Sequence, residues 1–363
     1  MMNDFEEKKT VLYIANGLSN KNYVKRNVEH IVKWIVNDGQ NFCEYKIGDT
    51  ENYDAHDFIK FYNKNPAEGF NTILDYVSKI SKKYKIYSPC KPSNFERNIH
   101  YLQNLFKLSN DDTKFLSFII RAECNDQLSD IISEFKYRRS SLKADEQAVF
   151  TGINPHKIHS MCNKHSTLVT LGLIEFDCSG EAEPSSLCKY LYHQKFKSVE
   201  DLRNYILGKS IKANLQWSDF KHIENVETVK KILQKSLSNN EKGINILLYG
   251  EPGTGKTEFA KTLVNEISGN LYSIGEDTNS DLVTDDAHSR YRQLIRANIL
   301  LEKSKKSCIL VDEADDILTT FYKSRNYYSR ADCDVTKLKV NRTLETNAKP
   351  TIWISNNIYS MDK

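Results

Sequence analysis

The chain has 363 residues, 39% of them hydrophobic and 27% charged, with a mean hydropathy of −0.57 and a formal net charge of +3. This length supports two or three domains with real cores, and the near-neutral balance neither requires nor forbids a nucleic-acid partner. The opening residues Met1-Met2-Asn3-Asp4-Phe5 lack the apolar segment of an export signal, and no apolar run approaches the roughly 18 residues of a membrane span. Eight scattered cysteines without a C-x-x-C pair fit reduced thiols, so a cytoplasmic location is expected.

Residues 1–140 form a mixed, mostly helical region. Thr10 to Ala15 predicts a strand and Lys85 to Tyr87 another, with helices over Tyr23 to Asn37 and Phe70 to Ile80. Three apolar stripes follow, on Tyr101, Leu102, Leu105 and Phe106, on Phe115, Leu116, Phe118, Ile119 and Ile120, and on Leu128, Ile131, Ile132 and Phe135. Asn110 is the predicted N-cap of the middle helix, and the basic cluster Lys136–Arg139 follows the third.

Residues 141–207 predict a small module. A helix over Ala144 to Phe150, a turn, a second helix over His156 to His165 and a strand from Leu168 to Phe176 follow in order. This succession resembles a winged helix, which would bind DNA or a protein. His156, His159, Cys162 and His165 are spaced by three, so they drift around a helix and at most two can share a metal. Helices over Ser185 to Gln194 and Val199 to Leu207 lead to a polar linker at 208–214.

The chemistry concentrates in residues 215–363. A helix is expected over Val226 to Leu237, and Ile246 to Tyr249 then predicts a buried strand. Gly250-Glu251-Pro252-Gly253-Thr254-Gly255-Lys256-Thr257 follows, matching G-x-x-x-x-G-K-[ST], and leads into a helix to Ile267. Strand, loop and helix in that order are the context in which a P-loop counts as evidence. Glycines let backbone N–H groups turn around phosphate oxygens, and the helix N-terminus adds positive charge. Lys256 can reach the β- and γ-phosphates, and the Thr257 hydroxyl can hold Mg²⁺. Leu271 to Ile274 predicts a strand and Ala287 to Glu302 a helix. Four apolar residues then end on Asp312-Glu313, putting two carboxylates at the end of a strand, where open α/β sheets bind ligands. Asp312 would orient Mg²⁺ and Glu313 the attacking water. Asp315 and Asp316 are expected to face solvent or cap the next helix.

These motifs resemble the AAA+ ATPase family over about residues 215–363. The resemblance implies an α/β P-loop core with a parallel sheet, bound ATP and Mg²⁺, and ATP hydrolysis that remodels a macromolecule. It implies that Trp217 to Ile223 lines the adenine pocket, with Ile223 contributing backbone, and that Gly250 to Glu258 cradles the nucleotide. Thr351 to Asn357 resembles the strand whose polar residue senses the γ-phosphate; Asn356 fits, because Asp362 then falls at the family's spacing, and Asn357 is the alternative. There are departures. Residues 277–286, at the family's pore loop, carry no aromatic–Gly pair. The chain ends at Lys363, before the family's arginine-finger helix, fifth strand and lid. A truncated core is therefore expected, its P-loop strand at an exposed edge and the missing parts supplied by a second copy or a second chain. Arg290, Arg292, Arg296, Arg325, Arg330 and Arg342 are expected at surfaces or subunit contacts. Two alternatives stand beside the ATPase: a nucleotide-binding module that does not hydrolyse, and an ATP-switched DNA-binding protein.

Overall fold

The structure is a computed structural model and describes residues 4–19, 55–86, 91–126, 128–130, 132, 144–177, 180, 182–275, 287–315, 317–318 and 337–356. The chain divides into two compact units, one of Met1–Gln103, Leu108–Val169 and Leu173–Lys195, the other of Asn104–Lys107, Thr170–Gly172 and Phe196–Lys363. No described helix is long and apolar enough to cross a membrane.

The first unit is mainly helical. It draws on α1 (Asp4–Ser19), α2 (Ala55–Lys64), α3 (Pro66–Ile86), α4 (Asn94–Phe106), α5 (Asn110–Cys124), α6 (Ala144–Thr151), α7 (Pro155–Met161) and α8 (Thr167–Thr170). A short antiparallel hairpin, β1 (Ile174–Phe176) with β2 (Ala182–Pro184), and α9 (Ser186–His193) complete it. Its core is aromatic: the Phe118 ring stacks on Phe150 at 5.8 Å and meets Tyr13 edge-on at 5.1 Å.

Several local expectations are corrected here. Thr10 to Ala15 is not a strand but the middle of α1, where Val11, Ile14 and Ala15 are buried at helical spacing. A short apolar run is ambiguous by period, and the flanking Glu and Lys residues carry it into a helix. Lys85 and Ile86 end α3 instead of forming a strand. The cap of α5 is Ser109, not Asn110: its Oγ accepts from Asp112 N at 3.0 Å while Asp112 Oδ2 accepts from Ser109 N at 3.2 Å, a reciprocal capping box. The second helix stops at Met161, with Asn154 as its cap and Pro155 in its first turn, so Cys162 and His165 lie beyond it. Among the described residues no three His, Cys, Asp or Glu side chains cluster as a metal site. Thr167–Thr170 is a helical turn, and only Ile174–Phe176 of the expected strand is extended. Tyr23 to Asn37, Ile131, Phe135 and Lys136–Arg139 lie outside the described residues.

The second unit holds α10 (Val199–Leu207), a 3-10 turn (Trp217–Phe220), α11 (Val226–Asn239), β3 (Asn245–Tyr249), α12 (Lys256–Glu266), β4 (Asn270–Ile274), α13 (Ala287–Leu301), β5 (Ser307–Val311), α14 (Lys337–Thr346) and β6 (Thr351–Ser355). The four strands β3 to β6 form one parallel sheet in the order β3-β6-β5-β4. The strands β5 and β6 are buried along their whole length, which explains the apolar runs Cys308–Val311 and Ile352–Ile354 within them. By contrast β3 is an edge: Leu247 is 41% and Tyr249 62% exposed. The P-loop strand is thus at the margin of the sheet, as expected, and not buried throughout. Nothing in the sequence reading foresaw α14. Behind it, Asn347 Nδ2 donates to Ile244 O at 3.1 Å, Lys349 O at 2.9 Å and Thr351 Oγ1 at 2.9 Å, tying the start of β6 to the start of β3.

Candidate nucleotide site

The site is built where β3, β5 and β6 end. Gly250 closes β3 at φ 149°, and Gly253 and Gly255 follow at φ 79° and 85°. Those values lie where L side chains are strained, so the loop needs glycine there. Gly255 caps α12, and Phe259 N to Gly255 O, at 2.8 Å, is its first closing bond. The N–H groups of Lys256, Thr257 and Glu258 therefore precede any intrahelical acceptor and supply a donor-rich helix start.

Lys256 Nζ lies within this loop, donating to Gly250 O at 2.9 Å and Glu251 O at 2.8 Å, with Thr254 Oγ1 at 3.5 Å. Thr257 Oγ1 donates to Asp312 Oδ2 at 2.7 Å, so the first turn of α12 meets the end of β5. A hydroxyl and a carboxylate side by side form a two-oxygen donor set. This suits Mg²⁺, which keeps most of its ligands as water and phosphate oxygen. Asp312 Oδ1 accepts from Glu313 N at 2.8 Å, and Glu313 adopts φ 47°.

These groups face one cleft of about 840 Å³. Pro252, Gly253, Gly255, Lys256, Thr257 and Glu258 line it from the loop side. Asp312, Glu313 and Asn356 line it from the strand ends. Gly250, Glu251 and Thr254 join it through their contacts with Lys256. Glu258 is turned to other partners, accepting from Asn214 N at 3.1 Å and Lys261 Nζ at 3.2 Å. Burial raises its pKa, but the Asn214 and Lys261 contacts outweigh this and leave it lowered. Ile223 is not among the lining residues; it is 39% exposed, with its N–H donating to Phe220 O at 3.1 Å. Asn357, Asp362, Arg325, Arg330 and residues 277–286 lie outside the described residues.

Two groups here were not foreseen. Arg290 of α13, expected at a surface or a subunit contact, is only 8% exposed and lines the cleft. Its Nη1 donates to Glu313 O at 3.2 Å and its Nη2 to Asp312 O. Asp315, expected to face solvent or cap the next helix, accepts from Ser355 Oγ at 2.7 Å and from Asn356 N at 3.1 Å. No local pattern marks either role, because each depends on a partner at least 22 positions away.

Comparison with known proteins agrees with this geometry. Residues 246–360 match the model of the ATPase family associated with various cellular activities, AAA. The vacuolar protein sorting-associated protein 4 of Dictyostelium discoideum is 33% identical over 132 residues, which is 32% of this chain and 28% of that protein. The replication factor C large subunit of Nanoarchaeum equitans is 29% identical over 36% of this chain and 32% of its own length. Fidgetin-like protein 1 of Drosophila melanogaster is 24% identical over 52% and 37%. The chain thus spans about a third of the length of these relatives. Residues 246–360, with a P-loop on an edge strand and Asp312-Glu313 at the end of another strand of the same parallel sheet, are thus a domain of the AAA family of ATPases.

Proposed function

We propose that this chain binds ATP with Mg²⁺ in the cleft and hydrolyses it to ADP and phosphate, using the nucleotide state to remodel a macromolecule. The observation that carries the reading is the meeting of Lys256, the Thr257–Asp312 pair and Glu313 on one cleft beside a helix N-terminus. The N–H groups of the loop and first turn would hold phosphate oxygens. Lys256 would exchange its loop carbonyls for the β- and γ-phosphates. Thr257 and Asp312 would hold the metal, which when bound neutralises charge on the phosphate oxygens. Glu313 would orient and polarise the attacking water, and Asn356 would contact the terminal phosphate. Assembly with further copies of the chain belongs to the same reading.

Retention of radiolabelled ATP by the purified chain tests it. Lys256→Ala is expected to abolish retention, and Glu313→Gln to keep retention while stopping phosphate release. Retention unchanged in Lys256→Ala refutes the reading. A nucleotide-independent sedimentation coefficient counts against assembly.

A further inference from the structure

We propose that Arg290 is a positioning residue that holds Glu313 in its working conformation by pinning both peptide planes beside it; this rests on the nucleotide reading above. Glu313 sits at φ 47° without being glycine. Such a conformation persists only where the surroundings over-determine it. Here all four backbone groups flanking its Cα are engaged. On the peptide before it, the Asp312 carbonyl accepts from Arg290 Nη2 and the Glu313 N–H donates to Asp312 Oδ1 at 2.8 Å. On the peptide after it, the Glu313 carbonyl accepts from Arg290 Nη1 at 3.2 Å and the Ala314 N–H donates to Ile354 O at 2.8 Å. One planar guanidinium thus spans two successive carbonyls, which a lysine, with its single ammonium, cannot do in the same way.

The guanidinium has a prepared seat. Gly275, just past β4, is at φ 90°, and a Cβ there would stand 2.7 Å from Arg290 Nε. The Gly275 N–H donates to Gln293 Oε1 at 3.2 Å, one turn along α13 from Arg290. The end of β4, the first turn of α13 and the turn after β5 are therefore locked around one side chain. Two of its N–H donors are committed to the carbonyls on either side of Glu313, so the geometry points to orientation of Glu313. Misplacing a water-orienting carboxylate by an ångström is enough to cost about 100-fold in rate.

The test compares the full chain with Arg290→Met, Arg290→Lys and Gly275→Ala. Hydrogen exchange of the 307–315 segment is measured without nucleotide, alongside fluorescent ADP affinity and phosphate release. Arg290→Met and Gly275→Ala are expected to speed exchange at Glu313 and Ala314 and to slow turnover about 10- to 100-fold, with ADP affinity changed less than about threefold. Arg290→Lys should fall between these and the wild type. If Arg290→Met does not fold, Gly275→Ala, which keeps the arginine and displaces it, carries the comparison. Unchanged exchange, unchanged turnover, or affinity lost in proportion to turnover overturns the proposal. A wild-type chain that binds no nucleotide overturns the proposed function itself. If it binds nucleotide without measurable turnover, the exchange comparison alone decides.

Discussion

Asp315 Oδ1 accepts a hydrogen bond from Ser355 Oγ at 2.7 Å, joining the turn after β5 to the last residue of β6. Its other oxygen takes the N–H of Asn356 at 3.1 Å. One carboxylate therefore sets where Asn356 leaves the sheet. Asp315→Ala is expected to lower phosphate release about tenfold, with nucleotide affinity little changed, because a lost orienting contact acts on rate before binding. Asp315→Asn, which keeps one acceptor, should retain more activity. Steady-state turnover and ADP titration check this, and equal activity of Asp315→Ala and wild type counts against it.

The Thr257–Asp312 pair makes a prediction about metal. Thr257→Val removes the hydroxyl while keeping the shape of the side chain, so the gain in ADP affinity on adding Mg²⁺ should shrink sharply. Thr257→Ser keeps the hydroxyl and should keep the gain. Calorimetry with and without the cation distinguishes them, and a metal-independent affinity in the wild type would sink the assignment.

In the helical unit, Arg121 is fully buried and bridges two carboxylates, with Nε 2.7 Å from Glu6 Oε2 and Nη2 2.7 Å from Glu96 Oε2. Removing one partner of a buried ion cluster leaves uncompensated charge, so Arg121→Met should destabilise the unit by about 3–5 kcal/mol. The pH dependence follows from Glu96. Burial alone would raise its pKa, but Arg121, by charge and hydrogen bond, and then Lys9 outweigh this and leave it lowered. The folded chain therefore holds this proton less tightly than the unfolded one. The resulting stability is present above the unfolded carboxyl value of about 4.3 and is lost as pH falls through the lower folded value. Urea midpoints measured from pH 7 to pH 3 should fall in the wild type, and this Glu96-linked part of the fall should shrink in Arg121→Met, where Lys9 still pairs with Glu96.

The edge position of β3 leads to a prediction about association. An apolar edge strand is a template for pairing with another chain, and lysine is a natural blocker of such edges. Leu247 is 41% exposed, so Leu247→Lys should cost little stability. It should reduce self-association at high concentration by sedimentation velocity. Association that is unchanged in Leu247→Lys places the contact elsewhere.

The glycines and lysine of the P-loop, the Asp312-Glu313 pair and the apolar run of β5 were legible from the chain alone, because each is set by local chemistry, whereas β6 was read from the family resemblance. Positive φ favours glycine, a helix start needs its loop, and a strand covered on both faces is mostly apolar. The place of β3 at the edge of the sheet was expected from the family resemblance. The Ser109 cap was written in the local Ser-x-x-Asp spacing and was missed. Local pattern could not place the helix α1 in its apolar run, the turning of Glu258 away toward Asn214, or the exposure of Ile223. Nor could it show Arg290 and Asp315 entering the site. The places of Arg290 and Asp315 depend on which distant groups arrive beside each side chain, and only the packing of α13 and β6 against the end of β5 decides that.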